Sequence, residues 1–227
     1  MGDSKNRDPA IHRVPGSGRY VGRPFRRVDG RDKVTGVTRF ADDLEFPRMC
    51  YLRLVRSTIP HGRIVSIDFG TAEKIDGYLG SLIGTEMPET FGILPVSQDE
   101  HALCLDRVRF VGDPVAAVAA TSDDAAYEAA LRVEVEYEPL ATIASVEEAL
   151  TTPEPRIHEY GTEGNIHKKV SLRFGDLQEG FDEADLILED QVFYEGNNHL
   201  ALEQHATVAV PEDVDRITVY SSTQTAH

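Results

Sequence analysis

The stretch PVAAVAATSDDAAYEAALRVEVEYEP, residues 114–139, constrains the fold more than any other part of the chain. Residues 114–121 have the apolar run of a strand, and their alanines are small enough for a helix to lie close on the sheet. Asp123 and Asp124 follow at the start of that helix, where the positive end of its dipole favours carboxylates. Ala125, Ala126, Ala129 and Ala130 give it a small-residue face. LRVEVEYEP then alternates strictly. Val133, Val135 and Tyr137 share one side, Arg132, Glu134, Glu136 and Glu138 the other, and Pro139 ends the strand.

The flanking sequence supplies further strands. MCYLRLVRS (49–57) alternates well enough for one, Pro60 and Gly62 break it, and RIVSIDF (63–69) is the next. Residues 71–77 fit a short helix closed by Gly77, and YLGSLIGT (78–85) is apolar enough for a buried strand before a polar loop to about residue 102. RVRF (107–110) alternates, and Gly112-Asp113-Pro114 turns the chain into the next strand. Ser145-Val-Glu-Glu148 is a capping box that opens a helix to Leu150.

Residues 151–167 read as a linker. A second segment follows, beginning with KVSLRFGD (169–176) and continuing through a short helix at FDEAD (181–185) to a long strand LILEDQVFYEG (186–196). Two more strands in HATVAVPEDVDRITVYSST join through a polar turn at residues 211–215. No helix or capping signal follows the last strand, so the expectation is a domain cut short.

Charge is unevenly spread. Residues 1–39 carry ten basic and four acidic groups, so a net charge of −16 leaves −22 on the rest. A body that acidic repels nucleic acid, whose binding rests on phosphate neutralisation. Residues 1–24 read as a flexible basic arm that lies on an acidic partner subunit or on its own body. The N-terminus has no apolar core of a secretory signal, and no run approaches the roughly 18–20 apolar residues of a membrane helix. A cytoplasmic protein is expected.

Cys50 and Cys104 lack any metal-ligand spacing and read as two small buried thiols, so an iron–sulfur cluster is not expected on this chain. His199, Glu203 and His205 in NNHLALEQHATVA are zinc or iron ligands by type. On a strand, however, only Glu203 and His205 share a face, and a buried, hydrogen-bonded trio at a domain interface is the expectation. The Gly112-Asp113-Pro114 turn reads as a structural connection. Taken alone, Gln224 in SSTQTAH is an edge strand meeting a polar loop. With no GxGxxG, GxxxxGK[ST], GxSxG or HExxH, the residues by themselves give a two-segment α+β protein without a complete active site.

In order along the chain, these motifs resemble the large, molybdenum-carrying subunits of the xanthine dehydrogenase/aldehyde oxidase family. RVDGRDKVTGVTRFADD looks like the family's opening segment, and YLRLVRSTIPHGRIVSID is similar to the strand–turn–strand that follows. FVGDPVAAVAATSDDAAYEAALRVEVEYEPL resembles its most recognisable block, and HLALEQHATVAV and VYSSTQTAH its first molybdenum-domain strands. Phe91-Gly-Ile-Leu-Pro95 looks closest to the 4-hydroxybenzoyl-CoA reductase branch, which removes a phenolic hydroxyl instead of adding one.

The resemblance implies an α/β hammerhead domain over residues 25–150 and the beginning of a molybdopterin-binding domain over 168–227. It implies an oxidoreductase holding molybdenum on a pterin, in the cytosine dinucleotide form, with FAD and iron–sulfur clusters on partner subunits. The substrate would be a small aromatic molecule or CoA ester, and this chain alone would be inactive. Gln224 matches the glutamine whose amide approaches the apical oxygen ligand of molybdenum, while Glu203 matches a recurrent acid and reads as structural support. Nothing is implied for His227. The family's pterin-gripping glycine-rich segment and its late carboxylate base are not among these residues. The alternative is a noncatalytic module that binds partner proteins through the hammerhead surface.

Overall fold

The computed structural model describes residues 25–92, 98–159 and 163–224. The basic arm of residues 1–24 lies outside them, as do residues 93–97, which include Ile93, Leu94 and Pro95. The chain divides into two compact units, one of residues 45–198 and one made of residues 1–44 with 199–227.

The larger unit is built around two three-stranded antiparallel sheets. The first contains β1 (Tyr51–Arg56), β3 (Tyr78–Ile83) and β7 (Pro114–Ala120), with β7 between the other two. The second contains β2 (Gly62–Asp68), β6 (Arg107–Val108) and β8 (Glu134–Pro139), with β2 central. A short ladder pairs β4 (Thr90–Phe91) with β5 (Glu100–His101) inside the polar loop expected before residue 102.

Strand β7 is buried on both faces, and its composition explains how. Val118 faces Ala72 and Ala129, with Phe69, Ile75 and Tyr78 packed around them. Val115, three residues away and so on the opposite face, packs with Val108 and Cys104 against Ile64, Ile67, Val135 and Tyr137. Ala116 and Ala120 on the same strand are also fully buried. Larger side chains there would hold the neighbouring elements off the strand.

The helix required by that packing is the longest in the described chain and lies against β1 and β7. It spans Asp123–Arg132 and is labelled α2, after a five-residue α1 (Gly30–Val34) in the smaller unit. The Ser122 hydroxyl accepts from the amide of Ala125 at 3.2 Å, capping α2 at its N-terminus. Ala126 and Ala129 are buried beneath it, while Arg53 on β1 donates to Asp123 at 2.7 Å. Ser145 caps α3 (Val146–Thr151) in the same way, accepting from the Glu148 amide at 3.1 Å.

The Gly112-Asp113-Pro114 turn is satisfied from within. Gly112 has φ +94°, a conformation glycine adopts without Cβ strain, and its amide donates to the Ser57 carbonyl at 2.8 Å. The Ser57 amide donates to the Asp113 carbonyl at 2.9 Å, and the buried Asp113 carboxylate accepts from the Arg109 amide at 2.8 Å. Asp113 also receives the Cys104 thiol. Burial first, and the Asp113 charge second, push that thiol up to about 12.

Residues 152–157 and Asn165 are tied to their surroundings. The Asn165 amide donates to the carbonyls of Thr152 at 2.8 Å and Pro155 at 3.2 Å, and its oxygen accepts from the Ile157 amide at 2.8 Å. Arg109 Nε donates to the Ile157 carbonyl at 2.8 Å and Arg107 to that of Arg156 at 3.2 Å.

Several sequence expectations fail. Cys50 is exposed, because β1 begins at Tyr51 and leaves Cys50 in the preceding loop, where no layer covers it. The helix at 71–77 is a single 3-10 turn at Ala72–Lys74. Residues 186–196 do not form the expected strand, since no described segment supplies a hydrogen-bonding partner, and Leu188, Val192 and Phe193 remain exposed. The second segment's helix, α4, lies at Leu177–Asp182, pulled forward by Asp176, whose carboxylate caps the amides of Gln178 and Glu179.

The smaller unit contains α1, a 3-10 turn at Ala41–Asp43 and a hairpin of β9 (Thr207–Asp213) and β10 (Arg216–Ser221). Its turn is narrower than expected, only Val214 and Asp215, because Pro211 stays in β9 opposite Ile217 at a register shift.

Two measurements test this packing. A Cβ on Gly84 would overlap the Cys104 carbonyl, so Gly84→Ala should cost about 1–3 kcal/mol in urea unfolding. Gly80→Ala, with open space around it, should change stability by less than about 0.5 kcal/mol. Equal effects would contradict the packing. At pH 8, iodoacetamide should label Cys50 and spare Cys104 until the protein is unfolded, as read by peptide mass spectrometry.

Candidate functional site

The end of the hairpin opposite its turn carries the glutamine singled out from the sequence. The last rung of the ladder pairs Ser221 with Thr207, and their hydroxyls also hydrogen-bond at 2.9 Å. Beyond it, the Ser222 amide donates to the Ala206 carbonyl at 3.1 Å. The Ser222 hydroxyl accepts from the Ala206 amide at 2.9 Å and donates to the Gln204 carbonyl at 3.0 Å. The chain then bends, and Gln224 is exposed. Its amide makes no hydrogen bond with the described residues. A neutral carboxamide in that position offers two N–H donors and an acceptor without bringing charge.

Serine clusters after a strand read in sequence as a polar loop, which hides the links made by Ser222. The run Ser221-Ser222-Thr223 is the signal that is present, since short hydroxyl side chains readily bond nearby backbone.

The other sequence candidates do not form a site. His199, Glu203 and His205 are all exposed, which overturns the expected buried trio. They precede β9 in irregular chain, with no strand to align them and no layer over them. Among the described residues no three His, Cys, Asp or Glu side chains lie close enough to hold a metal ion. The Gly112-Asp113-Pro114 turn spends its polar groups on structure. His227 lies outside the described residues.

Elsewhere, the larger unit has an open groove of about 610 Å³ between β1, α2 and β8, lined by Leu52, Leu54, Tyr127, Leu131 and Val135. Its two arginines are already engaged: Arg53 with Asp123, and Arg56 with the Gly112 carbonyl at 2.9 Å. It has no pairing of acid, base or nucleophile. His61 is buried nearby, with Nδ1 2.7 Å from the Ala141 carbonyl. No helix among the described residues is long and apolar enough to cross a membrane.

Comparison with known proteins identifies two consecutive stretches of the chain. Residues 35–141 match the family described as aldehyde oxidase and xanthine dehydrogenase, a/b hammerhead domain. Residues 157–227 match the molybdopterin cofactor-binding domain. A probable xanthine dehydrogenase subunit of Bacillus subtilis (strain 168) is 40% identical over 207 residues, covering 90% of this chain and 27% of that protein. The nicotinate dehydrogenase large molybdopterin subunit of Eubacterium barkeri is 37% identical over 209 residues, covering 91% of this chain and 48% of that protein. The chain thus spans between about a quarter and a half of these relatives. The aldehyde oxidoreductase structure from Desulfovibrio gigas superposes with a TM-score of 0.73 at 25% identity, over 86% of this chain and 23% of that one. The chain therefore carries an a/b hammerhead domain of the aldehyde oxidase and xanthine dehydrogenase type, followed by the start of a molybdopterin cofactor-binding domain.

Proposed function

We propose that this chain forms part of the molybdenum-carrying subunit of an oxidoreductase, with residues 25–150 as the hammerhead domain and 168–227 opening the cofactor domain. Gln224 carries the reading. It is an exposed, neutral hydrogen-bond donor at the end of a hairpin within the segment that matches the cofactor-binding domain.

The donor set fits a metal that arrives with its own ligands. Three protein ligands would mark a site that chelates a bare ion, and the described residues provide no such group. An uncharged amide can donate to an oxygen on the metal without competing for the metal itself. When bound, the molybdenum–pterin group supplies the two-electron chemistry. The chain's own contribution is positional: Gln224 orients and polarises, and the hairpin end holds it in place. In this reading Glu203 lends structural support, and the cofactor takes the cytosine dinucleotide form.

FAD and iron–sulfur clusters would sit on partner subunits of a cytoplasmic heteromer. Relatives named as one subunit of a probable xanthine dehydrogenase and as the gamma subunit of a 6-hydroxypseudooxynicotine dehydrogenase complex support that organisation. Names such as xanthine and nicotinate dehydrogenase favour an N-heterocyclic or other small aromatic substrate. A second reading, reductive removal of a phenolic hydroxyl as in 4-hydroxybenzoyl-CoA reductase, rests on Phe91-Gly-Ile-Leu-Pro95.

The purified complex should contain molybdenum and pterin near one per copy of this chain, by elemental analysis and by fluorescence of the oxidised pterin. Their absence would reject the enzyme reading. Gln224→Ala should lower kcat by about 10–100-fold, the usual effect of losing a partner hydrogen-bonded to a metal's ligand. An unchanged kcat would remove Gln224 from the site.

A further inference from the structure

We infer that Ser222 is the positioning residue for Gln224 and that its hydroxyl draws residues 204–206 into the wall of the same site, an inference that rests on the reading of Gln224 above. The β9–β10 ladder closes at Ser221 opposite Thr207, so Gln224 lies three residues beyond regular pairing. Nothing that its own side chain does among the described residues fixes it. Its place is set by the backbone on its N-terminal side, and that backbone is tied down at Ser222.

The tie has three parts. The Ser222 amide holds the Ala206 carbonyl at 3.1 Å, and its Oγ accepts from the Ala206 amide at 2.9 Å. The same Oγ donates to the Gln204 carbonyl at 3.0 Å. The hydroxyl thus replaces a missing rung and reaches a carbonyl two residues beyond the one its amide holds. Without it, the half-buried Ala206 N–H loses its partner, and the exposed Gln204 carbonyl is released from the chain end. These bonds cover little apolar surface, so their main effect is to fix the path of the chain on either side. The adjacent Thr207–Ser221 hydroxyl pair, at 2.9 Å, provides an internal control. It braces the same hairpin but does not reach residues 204–206.

The test uses the assembled, cofactor-loaded complex and compares Ser222→Ala, Ser222→Thr, Ser222→Cys, Thr207→Val and Gln224→Ala. Two quantities are read: hydrogen–deuterium exchange at the Ala206 amide, and the electron paramagnetic resonance of one-electron-reduced molybdenum. Ser222→Ala should speed exchange about tenfold, the scale of one lost hydrogen bond. It should also move the resonance in the direction that Gln224→Ala moves it. Ser222→Thr keeps the hydroxyl and should preserve both wild-type values, and Thr207→Val should leave the resonance in place.

The inference is overturned if Gln224→Ala moves the resonance but Ser222→Ala does not, or if Ser222→Ala leaves exchange unchanged. An equal shift from Thr207→Val overturns it too, since bracing anywhere in the hairpin would then suffice. If Gln224→Ala itself leaves the resonance unmoved, the reading of Gln224 fails and takes the role of Ser222 with it. Should Ser222→Ala not assemble, Ser222→Cys fills the same space with a weaker donor and is judged by the same outcomes.

Discussion

Strand β7 has no solvent-facing side, and the larger unit is arranged around that fact. A helix and a 3-10 turn cover one face, and residues of the second sheet cover the other. Valine and alanine satisfy both neighbours because burial on two faces rewards small, apolar side chains that let each layer approach closely. The pairing of β1 and β3 on either side of β7 follows from its central place, as does the need for a helix directly after it. The Gly112–Pro114 turn then has to deliver β7 at the right register. The bonds from Ser57, Arg109 and Cys104 to that turn hold it there.

This part of the molecule is legible in the sequence because its signals are local. Alanines at helical spacing, acids after Ser122 and strict alternation from Glu134 to Tyr137 each specify structure within a few residues. Residues 186–196 show the opposite case. Their apolar content suits a strand, but a strand exists only against a partner, and composition does not say whether one is present. Cys50 misleads for a related reason: its apolar neighbours suggest a buried strand, but β1 buries only Val55 and begins one residue after Cys50.

The candidate site divides along the same line. Gln224 can be named only by likeness to a family, since a lone glutamine after three hydroxyl residues carries no chemistry by itself. His199, Glu203 and His205 look richer, yet the chain does not gather them. The contribution of Ser222 depends on a bond to a carbonyl eighteen residues earlier, a separation that no local pattern encodes. Binding groups at such places are set by backbone path, which is why a hydroxyl that touches only main chain can matter to a side chain two positions on.

The account stands on the direction in which the Gln224 amide points once the polypeptide is assembled around its cofactor. A crystal structure of the loaded complex measures this directly. The account predicts the Gln224 side-chain nitrogen within about 3.2 Å of an oxygen ligand on molybdenum. A Gln224 side chain turned to solvent, or packed into a closed protein core away from the cofactor, would contradict it.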